Sequence, residues 1–224
     1  MLDLLLTFLK RPAAANIPRP WLLILLHGVG SNEQDLFSLC TQLPERYYVI
    51  SLRAPNRMGP GAFAWFDYSI EPGGARTIDE PQEAASRALL AQTATSASEQ
   101  LGIPPERTVF AGFSQGGAMA LGLLLTQPAL MRAAIVWHGR LMEQSLAALA
   151  PADVFRGRAL WVSHGTHDGV IPLAHAHAIA HHVAPLPLAY TYREFPSEHE
   201  IRPSELAATL TWLEGLSTTP NPLV

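Results

Sequence analysis

Short apolar runs alternate along the chain with longer segments that have the apolar spacing of helices. Five runs are apolar on both faces and bounded by glycine or proline, which is typical of strands buried in a sheet; they cover residues 21–26, 47–52, 108–111, 133–137 and 159–163. A sixth run, 188–195, alternates more and contains tyrosine and threonine, as expected of a strand nearer the sheet edge.

Four helices are predicted between these strands, at residues 83–101, 116–126, 173–183 and 204–216. Strands and helices alternating in this way predict an α/β fold with a mostly parallel central sheet and helices on both faces. In such sheets, ligands bind at the carboxyl ends of the strands. We therefore expect the chemistry in the loops that follow strands.

Residues 2–9 are nearly all apolar and could suggest a targeting segment. A signal peptide carries positive charge before its apolar stretch, whereas here Asp3 lies at the start and Lys10 and Arg11 follow. The stretch is also far shorter than the roughly 20 residues that a membrane span needs. We predict an edge strand at residues 2–9 and a loop at 12–20, with an amphipathic helix as the alternative to the strand. Residues 1–20 then begin one domain over residues 1–224.

Composition narrows the class of protein. With 224 residues, 48% of them hydrophobic, the chain can bury one sizeable core. The net charge of −4 comes without a basic stripe, so we expect no nucleic acid as a partner. The lone Cys40 lies in a helix predicted over 33–43 and is interpreted as a small buried hydrophobe. Since it cannot form an internal disulfide, a cytoplasmic location is expected.

The strand predicted at 108–111 leads into Gly112-Phe113-Ser114-Gln115-Gly116 and then into an apolar helix. This Gly-x-Ser-x-Gly pattern is weak alone, but its strand-to-helix context is the one a nucleophilic serine requires. A serine lifted above the sheet lies on a strained turn, where only small residues two before and two after it avoid a clash. We predict that Ser114 is the nucleophile.

A nucleophilic serine needs a base, and the base needs a partner that fixes its tautomer. Of the nine histidines, His199 is the best candidate, because it lies directly after the last predicted strand and before the last helix. Asp168 follows the preceding strand, and the order Ser, Asp, His is the one that this fold uses. All three residues are then predicted at the same edge of the sheet.

An oxyanion needs two backbone N–H donors. We expect one from Gln115, at the start of the helix after the nucleophile, and the other from Val29, in the glycine-rich loop after the first long strand. An ordinary turn between strand and helix would need glycine there too, so this loop alone leaves both interpretations open.

Together the motifs resemble the small carboxylesterase, phospholipase and acyl-protein thioesterase group of α/β hydrolases. The resemblance extends over residues 21–213 and rests on Leu26-His27-Gly28-Val29-Gly30, Arg53-Ala54-Pro55, Trp65-Phe66-Asp67, Gly112-Phe113-Ser114-Gln115-Gly116-Gly117, Asp168-Gly169-Val170-Ile171-Pro172 and His199-Glu200. It implies metal-free hydrolysis of acyl esters by the triad Ser114, Asp168 and His199, with Val29 and Gln115 at the oxyanion. One position departs from the family, which usually has glycine or an apolar residue where this chain has Glu198.

Several other residues invite a functional interpretation. His177 and His181 are four apart on a predicted helix, but a third ligand is not evident, so a solvated helix face is favoured over zinc. His138 and His164 follow strands and are interpreted as supporting groups near the site, and His27 as a residue that steadies its loop. Trp65 and Phe66 fit ordinary packing, but as an aromatic pair on a loop near the active edge they are expected to form a wall for the acyl or alcohol group.

We therefore expect a minimal, uncapped α/β hydrolase, because residues 138–158 leave no room for a helical cap before the next strand. Its substrate would be a small-molecule ester of short to medium acyl chain or an acyl thioester, with no cofactor, no metal and no stable membrane insertion. A homodimer is left open. The alternatives are an acyltransferase, a lactone or peptide hydrolase with the same triad, or a non-catalytic ligand-binding protein on this fold.

Overall fold

The computed structural model describes residues 2–70 and 76–218, and a sheet of seven strands lies at the centre of this part of the chain. The strands, in chain order, are β1 (Phe8–Arg11), β2 (Trp21–Leu26), β3 (Tyr47–Leu52), β4 (Asn56–Gly59), β5 (Ala62–Ala64), β6 (Tyr68–Ile70), β7 (Arg76–Ile78), β8 (Thr108–Phe113), β9 (Ala133–Trp137), β10 (Ala159–Gly165) and β11 (Ala189–Phe195). The central sheet has the order β1-β3-β2-β8-β9-β10-β11, and only β1 runs antiparallel to its neighbour.

The helices are α1 (Glu80–Leu101), α2 (Gln115–Thr126), α3 (Glu143–Ala147), α4 (Ala174–Val183) and α5 (Pro203–Thr218). Helices α1, α2 and α4 pack their apolar side chains into one core, and α5 packs into a second core on the other face of the sheet. The predicted α/β class with a mostly parallel sheet is thereby confirmed. Within the described residues, no helix is both long and apolar enough to span a bilayer.

The edge strand near the amino terminus lies later than the apolar run that predicted it. It spans Phe8–Arg11 instead of residues 2–9, and it pairs with β3 from Leu52 to Val49. The guanidinium of Arg11 is the physical reason, because it donates to the carbonyls of Cys40 and Leu43 and anchors the strand end. Among the earlier leucines, Leu6 lies in the core and Leu2 and Leu4 pack against it, whereas Leu5 is exposed.

Two further segments differ from the prediction. The helix predicted over 33–43 is a single 3₁₀ helix at Leu36–Thr41, in which Cys40 is buried as expected. The segment 56–81, which has no predicted strand or helix, contains two small hairpins, β4–β5 and β6–β7, and ends in the first turn of α1. Asp79 caps that helix by accepting a hydrogen bond from the N–H of Gln82.

Candidate active site

Ser114 lies at the turn between β8 and α2 in a strained backbone conformation, with φ 54° and ψ −115°. Its N–H donates to the carbonyl of Trp137 at the end of β9, at 2.9 Å, which helps to hold the turn. A positive φ in a residue other than glycine persists only where the surrounding structure enforces it, and such residues cluster at functional sites. The predicted nucleophile therefore has the backbone geometry that this role requires.

The glycines on either side of Ser114 are required by close backbone contacts. A β-carbon on Gly112 would overlap the carbonyl of Gly116, and one on Gly116 would overlap the carbonyl of Leu26. The turn is thus compressed between its own helix and the neighbouring strand β2. This is the steric reason for the Gly-x-Ser-x-Gly spacing in this chain.

The structure brings the three predicted residues of the triad together. The hydroxyl of Ser114 donates to Nε2 of His199 at 2.9 Å, and Nδ1 of His199 donates to Oδ2 of Asp168 at 2.7 Å. Gly165, at the end of β10, makes this approach possible, because a side chain there would collide with the carbonyls of Ser197 and Glu198 in the loop that carries His199. Three loops at one edge of the sheet therefore meet at a single chain of hydrogen bonds.

Asp168 is held by donors on both of its oxygens. Oδ1 accepts from the N–H groups of Val170 and Ile171 at 2.9 and 2.8 Å, and Oδ2 accepts from His199. Burial alone would raise the pKa of Asp168, but the hydrogen bonds from His199 and from the backbone of Ile171 outweigh burial and lower it. Asp168 is therefore a carboxylate, as the partner of a base must be.

His138 and His164 lie behind Asp168, as predicted for supporting groups. Nδ1 of His138 donates to Oδ2 of Asp168 at 2.9 Å, and Nε2 of His164 donates to the carbonyl of Ile171 at 2.7 Å. Burial lowers the pKa of His164, which keeps that ring neutral. Glu205, on α5, is not marked by any sequence motif, yet its Oε2 accepts from Nε2 of His138 at 3.2 Å.

Gln115 takes part in the site with its backbone and with its side chain. As the first residue of α2, its N–H is one of those that have no acceptor inside the helix. Its side-chain oxygen accepts from the N–H of Trp65 at 2.8 Å, and its amide nitrogen donates to the carbonyl of Phe66 at 2.6 Å. The residue after the nucleophile thus fixes the loop that borders the site.

A small cleft, partly open to solvent, lies beside Ser114. Both proposed oxyanion donors border it, and its described lining consists of Val29, Phe66, Tyr68, Ser114, Gln115, Ala118, Arg140, Val170 and Ile171. Phe66 is therefore placed as a wall of the cleft. Trp65 is not among the described lining residues; it is fully buried.

Trp65 instead braces the loop that carries Val29. Its indole N–H donates to the carbonyl of His27 at 2.9 Å, and its ring lies 5.6 Å from that of His27. Nε2 of His27 accepts from the N–H of Ala54 at 3.0 Å, and burial lowers the pKa of His27 so that it can act as an acceptor. His27 and Trp65 together join the loops that follow β2, β3 and β5.

Two groups of histidines bear on metal binding. His177 is exposed on α4, and its Nε2 donates to Glu194 at 3.1 Å. His138, His164 and Asp168 offer three ligand atoms within 4.8 Å of one another. A cation at that second position would have to displace the hydrogen bonds that Asp168 receives from His138 and His199.

Comparison with known proteins identifies the family to which the chain belongs. A sequence model described as phospholipase/carboxylesterase matches residues 13–217. A probable carboxylesterase of rice (Oryza sativa subsp. japonica) is 25% identical over 153 residues, which are 67% of this chain and 65% of the rice protein. The chain thus spans slightly less than two thirds of that relative.

Two further proteins resemble the chain over longer stretches. An acyl-protein thioesterase 1 of Eremothecium gossypii is 28% identical over 188 residues, 75% of each chain. The crystal structure of the Bacillus cereus carboxylesterase superimposes with a TM-score of 0.81 over 95% of each chain, at 20% identity. This last comparison concerns the fold.

Proposed function

The chain belongs to the phospholipase/carboxylesterase family, and from this premise we propose that it is a serine hydrolase that cleaves carboxylic esters or thioesters through Ser114, His199 and Asp168. The observation that carries the proposal is the continuous hydrogen-bond chain from the hydroxyl of Ser114 through His199 to Asp168. A binding protein that had lost catalysis would have no need to keep all three groups in this alignment.

The reaction would proceed in two halves. The oxygen of Ser114 attacks the carbonyl carbon while Nε2 of His199 takes the hydroxyl proton, and the N–H groups of Val29 and Gln115 stabilise the oxyanion. The intermediate collapses, His199 returns the proton to the leaving alcohol or thiol, and an acyl-enzyme remains. Water then attacks the acyl-enzyme with the same base, which releases the acid and restores Ser114.

The lining of the cleft and its open side support our proposal of substrates with a short to medium acyl chain. Its lining is largely apolar near Ser114, and Phe66, Val170 and Ile171 can contact an acyl or alcohol group. Between β9 and β10, the described chain forms only the short helix α3 and a 3₁₀ turn at Ala152–Phe155, so a helical cap does not cover the cleft from that segment. Transfer of the acyl group to an alcohol or amine remains the alternative, since the same acyl-enzyme would form; competing acceptors distinguish the two by their products.

The experiment that tests the proposal replaces the nucleophile. Ser114→Ala should reduce kcat for a nitrophenyl ester by roughly 10⁴- to 10⁶-fold without loss of fold, because the acyl-enzyme can no longer form. A fluorophosphonate probe should label the wild-type protein and the exposed control variant Ser38→Ala, but not Ser114→Ala. Full turnover by Ser114→Ala, or labelling at another residue, would contradict the assignment.

A further inference from the structure

The hydrogen bonds of the proposed triad continue into the core beyond Asp168. Oδ2 of Asp168 accepts from Nδ1 of His138, and Nε2 of the same ring donates to Oε2 of Glu205. The side chains of His138, Asp168 and Glu205 are all fully buried. The other oxygen of Glu205 accepts from the hydroxyl of Ser163 at 2.6 Å, which completes the polar contacts of this carboxylate.

The two ring nitrogens of His138 each face a carboxylate oxygen, at 2.9 and 3.2 Å. An ionised carboxylate can only accept, so each nitrogen must carry a hydrogen, and a ring with two N–H groups is an imidazolium. Burial by itself would lower the pKa of His138, but the hydrogen bonds and charges of Glu205 and then of Asp168 outweigh burial and raise it. With two ionised carboxylates the geometry calls for a cation, and the raised pKa of His138 is in the same direction.

We propose that His138 and Glu205 are a buried positioning pair, in which the His138 imidazolium fixes Asp168 for His199 and Glu205 keeps that imidazolium charged and oriented. The inference rests on the proposed function, since it assigns these residues to the support of its base. Neither residue reaches the cleft or the reacting atoms. They would act through their contact with Asp168 and through the charge of the imidazolium near His199.

The backbone of His138 supports this role. His138 has φ 51°, in the left-handed region, and its N–H donates to the carbonyl of Ser163 at 2.9 Å. A histidine rarely adopts this conformation without an enforcing environment. Here it turns the ring from the end of β9 towards both carboxylates, which an ordinary extended residue at this position would not do.

The charges around His138 determine its effect on the base. Its ring faces Asp168 and Glu205, lies 5.2 Å from the neutral ring of His164, 5.6 Å from His199 and 5.7 Å from the ring of Phe113. The imidazolium is nearer to His199 than Glu205 is, because Glu205 contacts the opposite nitrogen of His138. The charge of the imidazolium, and not that of Glu205, therefore dominates the electrostatic effect of the pair on the ring of His199.

Glu205→Gln tests this effect with little change of shape. Without the carboxylate, His138 should become neutral at neutral pH, and its positive charge beside His199 should vanish. The acid limb of kcat/KM should then move to higher pH by no more than roughly half a pH unit, because the more distant negative charge of Glu205 is lost as well and partly cancels the effect of the ring charge. Glu194→Gln is the matched control, because it removes the exposed carboxylate on β11 that pairs with His177 of α4. The proposal is wrong if the Glu205→Gln and wild-type limbs coincide.

His138→Asn tests the hydrogen bond to Asp168, and asparagine is chosen because it tolerates a positive φ. We expect kcat to fall roughly 10- to 100-fold, the effect of losing one hydrogen bond to a charged group, while KM changes little. A loss confined to KM would overturn the positioning role. Because Glu205 would then be buried without its partner, the double variant with Glu205→Gln should unfold at a higher temperature than His138→Asn alone.

A spectroscopic measurement separates this inference from the proposed function. In ¹⁵N spectra of histidine-labelled wild-type protein at pH 7, with His138→Asn to identify the resonances, both ring nitrogens of His138 should be protonated. A neutral tautomer of His138 would overturn the positioning pair even in an active enzyme. Conversely, a protonated His138 in a protein without esterase activity would leave the pair standing and refute the proposed hydrolase.

Discussion

Glu198 immediately precedes the proposed base, yet its carboxylate is exposed to solvent, while Nδ1 of His199 is occupied by Asp168. An exposed charge is screened by water and salt, so it should affect the imidazole little. We expect Glu198→Gly to leave the acid limb of kcat/KM where it is in the wild type. Profiles measured at physiological ionic strength check this, and a limb displaced to lower pH would show that Glu198 does raise the pKa of the base.

At the scale of residues, sequence reasoning finds the groups that local motifs mark. Ser114, Asp168 and His199 each follow a predicted strand, and the structure places them within hydrogen-bond distance of one another. Glu205 has no such local signature, because α5 brings it to His138 only by packing across the end of β9. Aromatic residues on loops often contact ligands, which is why the sequence favours Trp65 as a wall of the site. In the structure, however, its backbone N–H donates to Gln115 at the start of α2 and its indole N–H donates to the carbonyl of His27.

At the scale of elements, the contact between β2, β8 and α2 explains the local stability of the site. Gly116→Ala would place a methyl group against the carbonyl of Leu26, so we expect destabilisation of about 1–3 kcal/mol or more. Gly215→Ala on α5 is the matched control, because a β-carbon there meets no atom within 4 Å and alanine favours helix by about 1 kcal/mol.

Urea unfolding of the two alanine variants checks this prediction. Gly116→Ala should have a lower midpoint than the wild type, and Gly215→Ala an equal or higher one. Equal stabilities of the wild type and Gly116→Ala would mean that the strand and helix separate easily at the turn.

The strands and helices themselves were largely predictable from the sequence, and the exceptions have physical causes. Buried parallel strands leave continuous apolar runs, so β2, β3 and β9 have the predicted bounds. The edge strand β1 was misplaced because pairing and the contacts of Arg11, and not hydrophobicity, determine where it lies. The strands of the two hairpins after β3 have only three or four residues each, and strands this short leave little periodic signal.

At the scale of the whole molecule, buried histidines should make stability depend on pH in two directions. The pKa of His138 is raised on folding, so its contribution is complete below the unfolded value of 6.5 and is lost as the pH rises through the folded pKa. The pKa values of His27 and His164 are lowered, so their contribution is lost as the pH falls below 6.5. Asp168, whose pKa is lowered from 3.8, adds a further loss in stronger acid.

The free energy of unfolding, measured with urea between pH 7 and 8, follows the contribution of His138. In this range His27 and His164, with ordinary values of 6.5, are mostly neutral in the unfolded chain, and Cys40, with an ordinary value of 9.0, is still mostly protonated there. We expect a decline in the wild type with a slope of no more than about 1.4 kcal/mol per pH unit, the value for one proton. His138→Asn should show a flatter profile over the same range. A wild-type profile without any decline would indicate that His138 is not charged in the folded protein.

The two tasks of Gln115 have a consequence for how this protein could adapt. Its backbone N–H is a proposed oxyanion donor, while its side chain holds the loop of Trp65 and Phe66. Mutations that enlarge or narrow the cleft through this loop would therefore also disturb the alignment of the donor. Selectivity and rate would then depend on the same residue. Variants that evolve towards a new acyl group would be slower enzymes, unless a second substitution restored the hydrogen bonds between Gln115 and the loop.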